Sequence, residues 1–177
     1  MFTPFHDNYR FLARYNRWMN QRLYVVCEQL TDAQRKADRG AFFKSIHLTL
    51  THLVWADKMW LARFAKQGVD FSALKPALQG LPESTDYTSD VHPDWLELKH
   101  VRDELDAAIE QWIADMPPEF LSSTMQYANT KGVRRAHPAW QALTHFFNHQ
   151  THHRGQVTSL LSQAGIDVGT TDLVALI

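Results

Sequence analysis

Apolar residues recur at three- and four-residue steps through four separate stretches of the chain, and these stretches set the expected architecture. Thr3-Pro4 is a good helix opening, with Thr as the cap and Pro at the first helical position. Phe5, Tyr9, Leu12, Tyr15, Trp18, Met19, Leu23 and Val26 then form one amphipathic stripe, ending near residue 29. Thr31-Asp32-Ala33-Gln34 has capping-box form and predicts a short helical turn, and Asp38-Arg39-Gly40 marks a break. A second long helix is expected over residues 42–66, stopped near Gly68. Phe43, Ile46, Leu50, Leu53, Val54, Leu61 and Phe64 form a broad stripe on it. Leu48, His52, Trp55, Ala56 and Met59 form a second stripe on the other side. A helix apolar on two sides is normally buried on two sides. One side is expected to face the core and the other a partner subunit.

Residues 68–93 hold Pro76, Gly80, Pro82 and Pro93, and show at most one helical turn, at 71–78. Connections of this length are usually functional or cover something. A third helix should start near Pro93, carried by Trp95, Leu98, Val101, Leu105, Ala108, Ile109, Trp112 and Ile113, and end at Pro117-Pro118. Residues 122–127 and 133–135 flank Asn129-Thr130-Lys131-Gly132 and read as a small β-hairpin. Pro138 opens a fourth helix that runs to Gly165. The mostly apolar tail, residues 167–177, is expected to pack on the helices. The sum is an all-α fold: one domain over residues 1–177, a four-helix bundle with long crossover connections and a possible β-hairpin between helices three and four.

Composition narrows the function classes. The chain has 177 residues, 45% hydrophobic and 21% charged, the range of a soluble globular protein with a full core. The formal net charge is −1 and no block of Lys and Arg occurs, so nothing announces a nucleic-acid face. Cys27 is the single cysteine, which excludes an intrachain disulfide and fits a small buried residue on the first helix. The N-terminus lacks a basic start followed by an apolar run. The uncharged run at 45–56 is too short and too polar to span a bilayer. The expectation is a cytoplasmic protein with no membrane partner.

The chemistry concentrates in the fourth helix. Four of the ten histidines, His145, His149, His152 and His153, fall within nine residues. At about 100° per residue, with His145 at 0°, His149 lies near 40°, His152 near −20° and His153 near 80°. Ala142, Phe146, Val157, Leu143 and Leu161 centre the apolar face near 120° on the same wheel. His149 and His153 are therefore the inward pair, and His145 and His152 point toward solvent. Two imidazoles at i, i+4 can bind one metal ion without bending the backbone. A third ligand should come from another helix. Neither the ferritin-like pattern, a Glu-x-x-His on each of two helices, nor His-Glu-x-x-His is present. The second helix offers His47 and His52, and phase alone leaves both open. Asp57 lies five residues from His52 and off its face, which fits capping or packing better than a general base. Arg154 is a candidate for a cofactor carboxylate, against a surface or inter-helix ion pair. Gly155 inside a helix implies close helix–helix approach.

Several segments resemble the DinB/YfiT family of metalloenzymes, in the family's order and across nearly the whole chain. They are Tyr15-Asn16-Arg17-Trp18-Met19-Asn20; Phe43-Lys44-Ser45-Ile46 through Thr51-His52-Leu53-Val54-Trp55-Ala56-Asp57, with Trp60; Asn148-His149-Gln150-Thr151-His152-His153-Arg154-Gly155-Gln156; and Gln163-Ala164-Gly165-Ile166-Asp167. The resemblance implies a divalent ion held by His52, His149 and His153; the ligand chemistry leaves its identity open, with Zn, Ni or Fe, and equally Co or Cu, suited to three histidines. It implies a small-molecule substrate, and a thiol-dependent S-transferase or isomerase that uses a low-molecular-weight thiol such as bacillithiol or mycothiol. The alternatives are a metal-dependent hydrolase and a non-catalytic metal-binding stress-response dimer. The family's name derives from DNA-damage induction. Relatives of this kind are often dimers, and a homodimer is expected through the first two helices, where Tyr15, Trp18, Trp55, Met59 and Trp60 supply large apolar surface.

Overall fold

The computed structural model describes residues 4–79 and 86–177. Its long elements are α1 (Pro4–Cys27), α3 (Ile46–Ala65), α5 (Trp95–Asp115) and α6 (Ala139–Gln163). Shorter ones are α2 (Asp32–Lys36), α4 (Leu74–Ala77) and an antiparallel hairpin of β1 (Thr124–Ala128) and β2 (Arg134–Pro138). The fold is thus mostly helical with one small hairpin. α1 packs on α5 and α6, and α3 packs on α6 and α5. The stripes read from the sequence meet there. Leu23, Leu50, Phe64, Leu98, Trp112 and Phe146 are all fully buried. The Phe64, Trp112 and Phe146 rings pack against one another at 4.9–6.2 Å. Each such side chain contributes about 1.5–3 kcal/mol relative to exposure.

Helix ends follow local chemistry and shift several expected boundaries. The second long helix starts at Ile46, not at residue 42. Ser45 is its cap, with Oγ accepting from the Leu48 N–H at 3.1 Å, and Lys44 holds φ at 63° in the turn before it. That turn leaves Phe43 off the helix and stacked on the His52 ring at 4.0 Å. The third long helix starts at Trp95, near Pro93 as expected, with Asp94 as its cap accepting from the Glu97 N–H at 2.8 Å. α6 ends at Gln163, where Gly165 turns left-handed at φ 78° and the Ile166 N–H reaches back to the Leu161 carbonyl. The Thr31 capping box forms with both of its bonds. The second hairpin strand runs further than expected, to Pro138, and pairs Met125 with His137.

The second apolar side of α3 is covered within the chain. Tyr87 lies on Trp55 at 6.3 Å, Tyr127 of the hairpin lies on Trp60 at 5.3 Å, and Trp55 is 6% exposed. Of the large apolar residues expected to meet a partner, Trp55 and Trp60 are thus met by the 68–93 connection and the hairpin, while Trp18, Met59 and Trp60 stay partly exposed; residues 80–85 of the connection lie outside the described set. The tail is tied to α1 by the Tyr15 hydroxyl donating to the Thr171 carbonyl at 2.6 Å, although Val174 and Ile177 stay exposed. Among the described residues no helix is long and apolar enough to cross a membrane.

Candidate metal centre

α3 and α6 bring three imidazoles to one point. Ligand nitrogens of His52, His149 and His153 all lie within 4.8 Å of one another. The His149 and His153 Nε2 atoms are 3.1 Å apart. Adjacent ligands at about 2.0–2.1 Å from one ion would be about 2.9–3.4 Å apart for right-angled to tetrahedral geometry, so this separation fits a shared ion. The i, i+4 spacing on α6 produces this pair, as the wheel predicts.

Neighbours fix the rings. The His153 Nδ1–H donates to Gln156 Oε1 at 2.7 Å, and the His52 Nδ1–H donates to the Tyr87 carbonyl at 3.1 Å. Both bonds put the proton on Nδ1 and leave the Nε2 lone pair for a metal. Burial, first, and the neighbouring histidines lower the His149 pKa to about 3. Burial lowers that of His52 to about 4, and that of His153 is also lowered by burial. The three rings are therefore neutral at neutral pH, the state that ligates. The donor set fits a divalent transition ion, since three neutral imidazoles suit Zn, Ni and Fe alike.

The other histidines do not join. His47 is fully buried, with Nε2 3.2 Å from Asp90 Oδ1 and 3.0 Å from the His92 carbonyl. It ties down the same connection from which Tyr87 reaches His52. His152 is exposed, as its phase predicts; His145 also lies toward the outer side, but its ring packs against Trp60 at 4.9 Å and borders the cleft described below. A single Glu-x-x-His does occur, Glu97 to His100 on α5, but His100 is a surface residue paired with Glu104 at 3.3 Å.

Beside the ligands lies a buried polar network that sequence reasoning missed. Arg102 bridges Asp57 (2.6 Å) and Asp106 (2.9 Å). Asp57 also accepts from Gln150 at 2.9 Å, and Asp106 accepts from Asn16 and Asn20, both at 2.9 Å. Arg154 donates to Asn16 and to Thr151 and lies over the Tyr15 ring. Asp57, Arg102, Asp106 and Arg154 are each at most 3% exposed. Arg154 therefore sits inside the protein as an inter-helix partner and does not line the cleft described below. Asp57 is likewise an interior ion-pair partner. The signal was present in the sequence: Arg102 and Asp106 fall in phase with Leu98, Leu105 and Ile109 on α5. Gly155 departs from its expectation. It is exposed, and an added Cβ would meet nothing within 4 Å, so close helix approach does not explain it.

A cleft of about 220 Å³ opens onto His52 and His149. Its walls are Trp55, Ala56, Met59, Trp60, Tyr87 and Tyr127, with Arg63, Asn129, Thr130 and His145 completing it. Aromatic walls around a few convergent polar groups are the usual form of a small-molecule site.

The chain is similar to the protein named Protein DinB of Bacillus subtilis (strain 168), with 26% identity over 162 residues that cover 91% of this chain and 88% of that protein. No solved structure matches the chain significantly. The DinB family matches over residues 1–177, the full span that carries α3, α6 and their converging histidines, so the chain belongs to the DinB family.

Proposed function

We propose that the four long helices form a four-helix bundle whose His52, His149 and His153 hold one divalent ion. We further propose that the protein is a thiol-dependent S-transferase or isomerase acting on a small molecule. The observation that carries the reading is the convergence of three neutral imidazoles at the end of an aromatic cleft. Three protein ligands leave coordination positions open, the catalytic rather than the structural pattern. When bound, the ion supplies a positive centre that keeps a coordinated thiol deprotonated.

The chain's own residues supply the rest. Phe43 stacks on His52, and Tyr87 holds the His52 Nδ1 proton. Gln156 does the same for His153. The nucleophile must come from outside, because Cys27 is fully buried and burial pushes its thiol up to about 12. Among the described residues no Asp or Glu lines the cleft, which supports thiol transfer over hydrolysis, a reaction that usually needs a carboxylate base. A metal-dependent hydrolase is the second reading, favoured by His145, a cleft residue whose pKa burial lowers.

The test is a screen of the metal-loaded protein with electrophilic acceptors, with and without low-molecular-weight thiols. Turnover that requires the thiol supports the transferase. Ester or amide cleavage without thiol supports the hydrolase. Tight metal binding with neither activity leaves a non-catalytic metal-binding protein.

A further inference from the structure

The cleft has a second pole. His52, Ala56, Met59 and Arg63 recur at i, i+4, i+7 and i+11 on α3, so one face of the helix lines it for three turns, about 16 Å. His52 and His149 occupy one end and Arg63 the other, with His145 against the Trp60 ring at 4.9 Å between them and Arg63. The Arg63 guanidinium lies 4.7 Å over the Trp60 ring and 5.3 Å from the Tyr127 ring. Stacking of this kind fixes the guanidinium plane and leaves its edge N–H groups free to donate. Among the described residues Arg63 makes no ion pair, and no carboxylate lines the cleft. Asn129 and Thr130 also line the cleft, and the Asn129 Oδ1 accepts from the Lys131 and Val133 N–H groups, both at 3.0 Å. A half-buried guanidinium that lines the cleft with no anion beside it is suited to bind one.

We propose that Arg63 binds the carboxylate of a small organic acid laid along α3, with its reactive end at the three histidines. The inference rests on the metal–thiol reading and adds the substrate class to it. The acid is either the thiol cosubstrate or the acceptor, and both present the same carboxylate to Arg63.

The probes are ω-mercaptoalkanoates, from mercaptopropionate to mercaptooctanoate, against mercaptoalkanols of equal length, titrated into the Co(II)-loaded protein and read by the thiolate-to-cobalt charge-transfer band. The acid of best-fitting length should half-saturate at a concentration at least about tenfold lower than its alcohol, the effect of one charge-assisted contact. Arg63→Gln should bring the acid to the alcohol's value and leave the alcohol within about twofold, which also reports an intact site. Acid and alcohol binding alike in the native protein, or an acid preference that survives Arg63→Gln, would overturn the assignment. No band with either series would count against the metal–thiol reading. Arg63 is then decided by tryptophan quenching with plain alkanoates against alkanols: a preference for the acid lost in Arg63→Gln supports it, and no preference overturns it. Alkanoates binding as tightly as mercaptoalkanoates would place the carboxylate on the acceptor, and weaker binding would place it on the thiol.

Discussion

Replacing Arg102 with methionine keeps most of the side-chain volume and deletes one interior charge. Asp57, Arg102, Asp106 and Arg154 balance one another, two negative and two positive, in a region at most 3% exposed. Arg102 touches both carboxylates, at 2.6 and 2.9 Å, so the variant leaves the interior one negative charge in excess. Removing one partner of a buried pair costs about 3–5 kcal/mol, against a total stability of about 5–15 kcal/mol. The loss should depend on pH. Burial already raises the Asp106 carboxyl to about 6 with Arg102 present, and loss of the guanidinium should raise it further. A carboxyl whose folded pKa lies above the unfolded value of about 3.9 makes the folded state hold more protons. Its stabilising effect is complete below the unfolded pKa and is lost as pH rises through the folded one. Arg102→Met should therefore cost about 3–5 kcal/mol at pH 8 and about half of that at pH 5, where Asp106 takes up a proton. Urea denaturation of metal-free protein, followed by circular dichroism at both pH values, measures this. The double variant Arg102→Met/Asp106→Asn should recover much of the loss at pH 8. A cost below about 1 kcal/mol at both pH values would refute the network as a coupled interior unit.

Gly155→Ala should stabilise the protein by about 0.8–1 kcal/mol, because the position is an exposed helix interior with open space for a Cβ; thermal melting should move up by about 2–4 °C, and a lower melting temperature would mean that the backbone there needs glycine. Metal affinity should fall less than about tenfold between pH 7 and 5.5, measured by calorimetry, because His52 and His149 stay neutral down to about 4 and 3 and burial lowers His153 as well; three solvent-exposed histidines would lose several hundredfold over that range. The same lowered values give the metal-free fold a contribution that is complete above about pH 6.5 and is lost as pH falls through 4 and 3.

Helical phase was enough to place His149 and His153, because i, i+4 spacing beside an apolar face fixes direction without knowledge of any other element. It did not separate His47 from His52, because α3 is buried all round and carries no polar side to mark solvent. The resemblance to DinB proteins selected His52, and the converging geometry agrees. Tyr87 and Tyr127 were out of reach for a different reason: they meet the site through a long connection and a hairpin, whose closure no local periodicity reports. The polar network was legible in part. Asn16 with Asn20, and Arg102 with Asp106, sit at i, i+4 on stripes otherwise apolar, where a polar residue must find a partner. Counting only the apolar members of each stripe hid them. The start of α3 was misplaced because Phe42 and Phe43 continue its pattern, while Ser45 and the left-handed Lys44 decide where the helix begins.

The claim on which the rest depends is that His52, His149 and His153 hold one metal ion. Metal content per chain, measured by inductively coupled plasma mass spectrometry on the purified native protein and on His149→Ala, tests it directly, with far-UV circular dichroism on the same samples. The expected result is about one divalent ion per native chain and near none in His149→Ala, with helical content unchanged because the apolar stripes supply the core. A His149→Ala protein that keeps a full complement of metal would contradict the assignment. Loss of helix together with the metal would instead make the ion structural.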